Sequence, residues 1–309
     1  MPNQYPLNQK TGALSQDDCR YFRIGGITIR VEAGLPFSET SFHPKLSRFS
    51  ADGPGDDTIQ IHHRFGIPDY PKEKRGTVVY RKPPWTIYRD RESWIYTQSL
   101  QGEHNNLLSF MAVFSDDHSE GRIYHDKSCR DLFRKGNLAS LTQMSTDEIL
   151  IARLLADRNG FLIHSCGAEM DRKGLLFVGH SKAGKTTAGS FVKPSGKILS
   201  EDRNIVRRYD GGWKVYGTWS HGNLPDISPG PAPLTAVLFP EKSGANRLIR
   251  IEDRQEIVRR TIGCLIRPFE TKDWWEKIMT SIGQMAREVP CYRMQFDLSG
   301  EILSELKRL

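Results

Sequence analysis

The chain has 309 residues, with 44 Lys and Arg against 37 Asp and Glu, a formal net charge of +7 and a pI near 9.1. Its mean hydropathy is −0.52, and no apolar run approaches the roughly 18 residues that a membrane span needs, so we expect no membrane partner. Its first residues have neither a signal-peptide nor a transit-peptide pattern, which predicts a cytoplasmic protein. The length favours two domains of ordinary size.

The surplus of basic residues raises the question of nucleic-acid binding, because Lys and Arg gain affinity by displacing counterions from phosphates. Here the basic residues are spread among many acids and form no stripe interleaved with aromatic residues, so we expect no specific nucleic-acid partner. A basic cleft that attracts ATP or an acidic acceptor explains the same surplus. The five cysteines form no C-x-x-C pair or zinc-ligand spacing and are interpreted as reduced thiols.

Short β-type runs separated by turn-rich links occupy the first part of the chain. In residues 21–31, period-two alternation places Ile27, Ile29 and Val31 on one face of a strand. Further strands are predicted at residues 58–64, 77–80, 85–89, 93–97 and 122–125. The pattern predicts a β-rich N-terminal domain over residues 1–144, with a meandering antiparallel sheet between about residues 21 and 127.

The signals change at Ser145, which with Glu148 forms a capping box ahead of an apolar helical run. A second domain is therefore predicted over residues 145–309, with strands and helices interspersed, and its class is interpreted as α/β. Its predicted strands are residues 161–164, 174–178, 197–200, 205–208, 213–216, 234–239, 247–251 and 292–296. Its predicted helices after the first are residues 186–192, 254–266, 274–287 and a last one from residue 301.

A glycine-rich string lies between the apolar strand at 174–178 and the helix that follows it. Gly179, four further residues and then Gly184-Lys185-Thr186 satisfy the P-loop pattern in full. In such a loop the backbone N–H groups wrap the phosphates of ATP, the lysine contacts the β- and γ-phosphates, and the hydroxyl binds Mg²⁺. The residues predicted to bind ATP are Gly179, Ser181, Lys182, Ala183, Gly184, Lys185, Thr186 and Thr187. The alternative is a glycine-rich turn that binds nothing.

Two further features flank the loop. Glu201 and Asp202 end the next predicted strand, and carboxylates at a strand end are suitable ligands for Mg²⁺. An exposed acidic turn is the alternative for this pair. His164 ends the strand before the loop, where a histidine with satisfied hydrogen bonds in the core or at an edge is the more ordinary interpretation.

The stretch from residue 164 to 187, followed by residues 199–203, resembles the HPr kinase/phosphorylase family and related kinases with a phosphoenolpyruvate carboxykinase-like nucleotide domain. The spacing carries the resemblance: a histidine, a short hairpin, the P-loop, a short helix, and a strand that ends in two acids. It covers roughly residues 145–309 and implies a P-loop nucleotide-binding domain of that type. The first 130 or so residues do not resemble the regulatory domain of true HPr kinases.

The resemblance also implies roles for individual residues. His164 would lie near the γ-phosphate, Lys185 and Thr186 would bind phosphate and Mg²⁺, and Asp202 would be a metal ligand. Glu201 stands where the family has an aspartate base, so either acid remains a candidate for the base. Lys182 stands where the family usually has glycine, and we expect its side chain to face solvent. Three weaker candidates lie further along the chain. Arg247 is a candidate for binding phosphate, Trp219 for packing on a substrate, and His221 for a part in the same site.

The leading hypothesis is therefore an ATP-dependent kinase, a phosphotransferase that uses ATP and Mg²⁺. Its acceptor would be a Ser or Thr hydroxyl of a protein or peptide, or a small alcohol, and homo-oligomers are compatible with this function. The alternative from another class is an accessory protein of a biosynthetic or modification system, which binds nucleotide without phosphate transfer. Decarboxylation and phosphorylation of a keto acid ranks last, because the sequence has no convincing His-and-Lys metal set.

Overall fold

The chain divides into two compact units, and each is described by itself. The computed structural model describes residues 19–99, 108–144, 146–220 and 222–309. The N-terminal unit is Met1–Asp147 and the C-terminal unit is Glu148–Leu309. Three features discussed above lie outside the described residues: the N-terminal segment, Ser145 of the predicted capping box, and His221.

The N-terminal unit is built on one large mixed sheet. Its strands are β1 (Cys19–Ile24), β2 (Ile27–Glu32), β3 (Ser50–Ala51), β4 (Thr58–Phe65), β5 (Thr77–Lys82), β6 (Trp85–Arg89), β7 (Ser93–Ser99), β8 (Leu108–Ser115) and β9 (Glu120–His125). The sheet order is β3-β1-β2-β4-β9-β8-β7-β6-β5. Two 3-10 helices, Pro44–Phe49 and Lys72–Lys74, and one α-helix, α1 (Cys129–Lys135), complete the described elements.

The predicted antiparallel meander is correct for only part of this sheet. Strand β4 pairs in parallel with both β2 and β9, whereas the run from β9 to β5 is antiparallel throughout. Parallel neighbours need a long connection between them, and residues 33–57 and 66–119 provide those connections. Strand β8, which is absent from the predicted strands, lies next to the central strand β9 and is mostly buried.

The start of this unit shows how local sequence sets the strand pairing. Gly25 and Gly26 join β1 to β2 with φ angles of +58° and +77°. Two successive positive φ angles define the hairpin turn whose twist matches that of the flanking strands. The predicted inward face of β2 is confirmed, because Ile27, Ile29 and Val31 are all at most 1% exposed.

The C-terminal unit contains more helix but is also organised by a large mixed sheet. Its helices are α2 (Glu148–Ala156), α3 (Lys185–Val192), α4 (Arg254–Gly263), α5 (Lys272–Glu288) and α6 (Ile302–Lys307). Its strands are β10 (Gly160–Met170), β11 (Lys173–Val178), β12 (Lys197–Ser200), β13 (Arg203–Tyr209), β14 (Gly212–Gly217), β15 (Ala232–Lys242), β16 (Arg247–Arg250) and β17 (Cys291–Phe296).

The predicted α/β class, with a P-loop nucleotide-binding domain of HPr kinase or phosphoenolpyruvate carboxykinase type, is wrong. Both units are β-rich, and the C-terminal sheet is mostly antiparallel, with order β11-β10-β13-β14-β15-β17-β16 and β12 paired to β10. Among the described residues of this unit, only the pairs β11 with β15 and β15 with β17 are parallel. Since β11 also pairs with β15, the pairings among β10, β11, β13, β14 and β15 close into a ring. An open parallel sheet with crossover helices has no such closure.

Two apolar clusters lie on the two faces of β15. Val237 and Phe239 pack in the cluster that includes residues of α2, α4 and α5, whereas Ala236 and Leu238 pack with α3 and α6. This alternation is the period-two geometry of a strand with both faces buried. The core consequently fixes the positions of β11 and α3, between which the glycine-rich loop lies.

All five cysteines are free, as the sequence predicts. Among the described residues, no helix has both the length and the apolar character required to cross a membrane.

Candidate functional site

The glycine-rich loop occupies residues 179–184, between the end of β11 and the start of α3. Gly184 has a φ of +103°, and a Cβ atom there would lie 2.9 Å from the Phe296 ring, so backbone angle and space both require glycine. A Cβ atom on Gly179 would lie 2.7 Å from that of Ala183. Lys182 has a φ of +67°, and its side chain is exposed, as predicted.

Lys185 is the first residue of α3 and is only 6% exposed. Its ammonium Nζ donates to the carbonyl oxygens of Gly179 at 2.8 Å and His180 at 2.9 Å. No carboxylate within the described residues forms an ion pair with it, and burial lowers its pKa. A buried cation beside the first N–H groups of a helix, which have no intrahelical acceptors, gives this loop a positive potential, which the charges of Glu201 and Asp202 offset in part.

The next residue connects the loop to the acidic pair. The Thr186 hydroxyl donates to Oε1 of Glu201, a carboxylate that is buried at the end of β12. The other oxygen, Oε2, lies 3.5 Å from the backbone nitrogen of Leu224, and a Cβ atom on Gly222 would approach it to 2.2 Å. Glu201 is therefore held between the first turn of α3 and the chain that follows β14.

Asp202 faces a different partner. His164 Nδ1 lies 3.1 Å from Oδ1 of Asp202 and 3.0 Å from its backbone oxygen, and the Ser220 hydroxyl donates to Oδ2 at 2.6 Å. Both neighbours of Nδ1 are oxygen acceptors, so in the neutral imidazole Nδ1 carries the hydrogen and Nε2 carries the lone pair. Nε2 makes no hydrogen bond within the described part of the chain, and the side chain is 31% exposed.

These contacts give Asp202 an unusual acidity. The hydrogen bond from His164, followed by that from Ser220 and the charge of Arg203, lowers its pKa from 3.8 to about 2. Because the folded-state pKa lies below the unfolded value, the resulting stability is fully present above about pH 4. It is lost as the pH falls through about 2.

We accordingly expect Asp202→Asn to lower the free energy of unfolding by about 1 kcal/mol at pH 7, after allowance for screening of a side chain that is 24% exposed. The difference from wild type should shrink between about pH 4 and pH 2, because both proteins then carry a neutral side chain. Urea unfolding at several pH values measures this, with Asp210→Asn in an exposed turn as the control. A difference independent of pH would contradict the assignment.

Two cysteines lie near enough to Lys185 for their charges to interact. Burial raises the pKa of Cys166 to about 12 and also raises the pKa of Cys264. Both remain neutral thiols at physiological pH, so neither is an activated nucleophile. Within the described residues, no group of three or more His, Cys, Asp or Glu side chains is arranged to hold a metal ion.

Several predicted candidates do not lie in this arrangement. Arg247 is exposed on β16, where its Nε donates to Gln295. Arg260, another arginine of this unit, forms ion pairs with Glu241 and Glu256. Trp219 is 9% exposed, which agrees with the ordinary expectation of a buried indole.

Sequence analysis missed two residues that organise the site. Ser220 anchors Asp202, and Asn204 is fully buried with its amide nitrogen donating to the backbone oxygens of Ser165 and Ser200. Asn204 thus ties the strand that carries His164 to the strand that carries the acidic pair. The position of Asn204 in an apolar strand, two residues after Asp202, could have indicated this role. A polar side chain is buried in such a strand only when it has hydrogen-bond partners.

The fold and the site define a β-rich protein in which a glycine-rich loop, a buried lysine, two acids and a histidine converge. Residues 134–309, more than half of the chain, match the family model described as SynChlorMet cassette protein ScmC, so the chain belongs to that family. No curated protein matches the chain.

The family match corrects the resemblance to HPr kinase/phosphorylase, which is wrong. Every residue that carried the resemblance, from His164 to Arg203, lies inside the matched range. A short loop with a nearby acidic pair and histidine is therefore too local a pattern to identify a family. The roles inferred for these residues rest from here on their geometry alone.

Proposed function

We propose that the C-terminal unit binds the phosphates of ATP at residues 179–187 and transfers the γ-phosphate to a hydroxyl group. The observation that carries the proposal is the buried ammonium of Lys185, which contacts two loop carbonyls and no carboxylate. Burial of a cation is costly unless an anion compensates for it. A polyphosphate seated on the loop would supply that charge, and the start of α3 would add backbone donors.

The residues beside the loop fit Mg²⁺, which prefers hard oxygen ligands and commonly takes few of them from the protein. The Thr186 hydroxyl donates its hydrogen to Glu201, which leaves the lone pairs of the hydroxyl available to a cation. We assign Thr186 and Glu201 to the metal, in place of the predicted Thr186 and Asp202. Bound there with ATP, Mg²⁺ would neutralise phosphate charge.

His164 is the proposed general base. Asp202 fixes the ring through Nδ1, so Nε2 presents its lone pair at a partly exposed position. Nε2 accepts the proton of the acceptor hydroxyl while the acceptor oxygen forms a bond to the γ-phosphorus. The bond from that phosphorus to the bridging oxygen of ADP breaks, and ADP leaves with the electron pair. Asp202 stabilises the imidazolium that results.

The acceptor is proposed to be a Ser or Thr hydroxyl of a protein or peptide, or a small alcohol. A cytoplasmic location is proposed with it, since ATP is available there and the five thiols are all free.

The roles of His164 and Glu201 separate in one experiment. We expect His164→Ala to slow transfer from γ-labelled ATP to components of a cell extract about 100-fold, with ATP affinity changed less than about threefold. Glu201→Gln should instead remove most of the Mg²⁺-dependent part of ATP affinity. His43→Ala, in the N-terminal unit, is the matched histidine control.

Three outcomes decide between phosphate transfer and nucleotide binding alone, and test the role of His164. Loss of transfer with retained binding in His164→Ala supports a phosphotransferase. If wild type binds ATP but transfers no phosphate to any acceptor or extract tested, the result favours the accessory-protein alternative. Unchanged transfer in His164→Ala would rule out the proposed base.

A further inference from the structure

We propose that one edge of the N-terminal sheet binds an acidic peptide segment in an extended conformation. The surface concerned, called the basic edge here, consists of Lys72, Lys74, Arg75, Arg81 and Lys82, together with strand β5. It is distinct from the loop and the acidic pair of the C-terminal unit, and the proposed phosphate transfer does not use it.

The first observation is a concentration of positive charge. Residues 71–86 contain these five cations and a single acid, Glu73, whereas the chain as a whole has 44 Lys and Arg against 37 Asp and Glu. None of the five forms an ion pair with a carboxylate within the described residues, whereas many other arginines of the chain do. Four of the five are exposed. The surface therefore favours an anionic partner.

The second observation is a cavity of about 270 Å³ beside β5. Lys72, Arg75 and Arg81 line it, with the rings of Trp85 and Tyr88, and no carboxylate appears among its described lining residues. The Arg75 guanidinium is held in place, because it donates to the Tyr70 carbonyl and lies 5.7 Å from the centre of the Tyr88 ring. A preorganised guanidinium in such a cavity suits a carboxylate side chain.

The third observation identifies the partner as a peptide. Strand β5 pairs with β6 and, in the part of the chain that the structure describes, with no other strand. Val78 and Val79 are 39% and 38% exposed, and the register shifts between Val78 and Tyr80. An edge strand presents backbone N–H and C=O groups that another extended chain can pair with. A nucleic acid shares the negative charge but lacks those groups, so the edge favours a peptide.

The test uses four fluorescent probes with the full chain. They are a peptide of four Glu-Val repeats, the same peptide with N-methyl groups on all its Glu and Val peptide nitrogens, a peptide of four Lys-Val repeats, and a 12-nucleotide single-stranded DNA. The acidic peptide is expected to bind at least about tenfold more tightly than each of the other three. Lys72→Glu with Arg81→Glu should weaken its binding at least about tenfold. Lys197→Glu with Lys307→Glu, two exposed lysines of the C-terminal unit, is the matched control. Circular dichroism would show that both variants fold.

Three results would overturn the proposal. Equal binding of the N-methylated peptide would mean that backbone pairing with β5 plays no part. Equal or tighter binding of the DNA, or no binding of the acidic peptide by folded wild type, would mean that the cations serve another anion or only protect the edge from aggregation.

Discussion

Replacing Lys185 by alanine is expected to reduce phosphate transfer from ATP by a factor on the order of 10³. The substitution removes the buried ammonium that the loop carbonyls of Gly179 and His180 hold in place. It leaves the backbone of the loop intact, because alanine is the best helix former and Lys185 begins α3. The rate of label transfer from γ-labelled ATP in a cell extract measures the effect.

Lys197→Ala is the control for this substitution. Lys197 is exposed at the start of β12, and its replacement also removes one positive charge from the C-terminal unit. We expect the control to transfer phosphate within about twofold of wild type. Transfer by Lys185→Ala at a rate near that of wild type would show that the loop does not act through its buried cation.

The second large effect concerns the core that supports the site. Trp274 in α5 is 2% exposed, and its indole nitrogen donates to the Ala152 carbonyl of α2 at 3.1 Å. Trp274→Ala removes the largest fully buried side chain of the C-terminal unit and leaves a buried acceptor without this donor. We expect it to lower the free energy of unfolding by about 4 kcal/mol, and the melting temperature by about 10 °C.

Trp275 provides a matched comparison, because it is the adjacent residue of the same helix and is only partly buried. Trp275→Ala should cost about 1 kcal/mol. Chemical unfolding followed by circular dichroism measures both variants. Equal losses in the two variants would contradict the orientation of α5 in the fold.

Strong local signals predicted much of the secondary structure. The helix at residues 274–287 is confirmed as α5, since Trp274, Ile278, Ile282 and Met285 recur at helical spacing and are all buried. Most of the predicted strands are confirmed, including β11 ahead of the glycine-rich loop. These elements are set by periodicity within one segment, and the sequence of that segment is sufficient to find them.

The sheet pairings were not predictable in the same way. Which strands lie side by side depends on contacts between distant segments, such as β11 with β15 and β4 with β2. The apolar run of β11 and the loop after it are compatible with an open α/β sheet and with the closed ring that forms. The predicted fold class and the predicted family were wrong because both were inferred from the region around one loop.

The different contacts of the two acids also could not be predicted from the sequence. Glu201 and Asp202 are adjacent, so their side chains leave the chain in different directions, and only the fold decides which meets which partner. Glu201 contacts Thr186, whereas Asp202 contacts His164 and Ser220. The sequence predicts Asp202 as the metal ligand beside Thr186, whereas the contact between Glu201 and Thr186 leads us to propose Glu201 instead.

Calorimetric titration of Mg²⁺ and ATP into the purified full chain measures whether the glycine-rich loop binds the nucleotide. We expect one ATP per chain, bound with a dissociation constant on the order of micromolar to tens of micromolar, which corresponds to about −6 to −8 kcal/mol. We also expect the Lys185→Ala variant, shown to be folded, to release no heat under the same conditions. Absence of any heat of binding to folded wild type at millimolar ATP would show that the chain does not bind ATP as proposed.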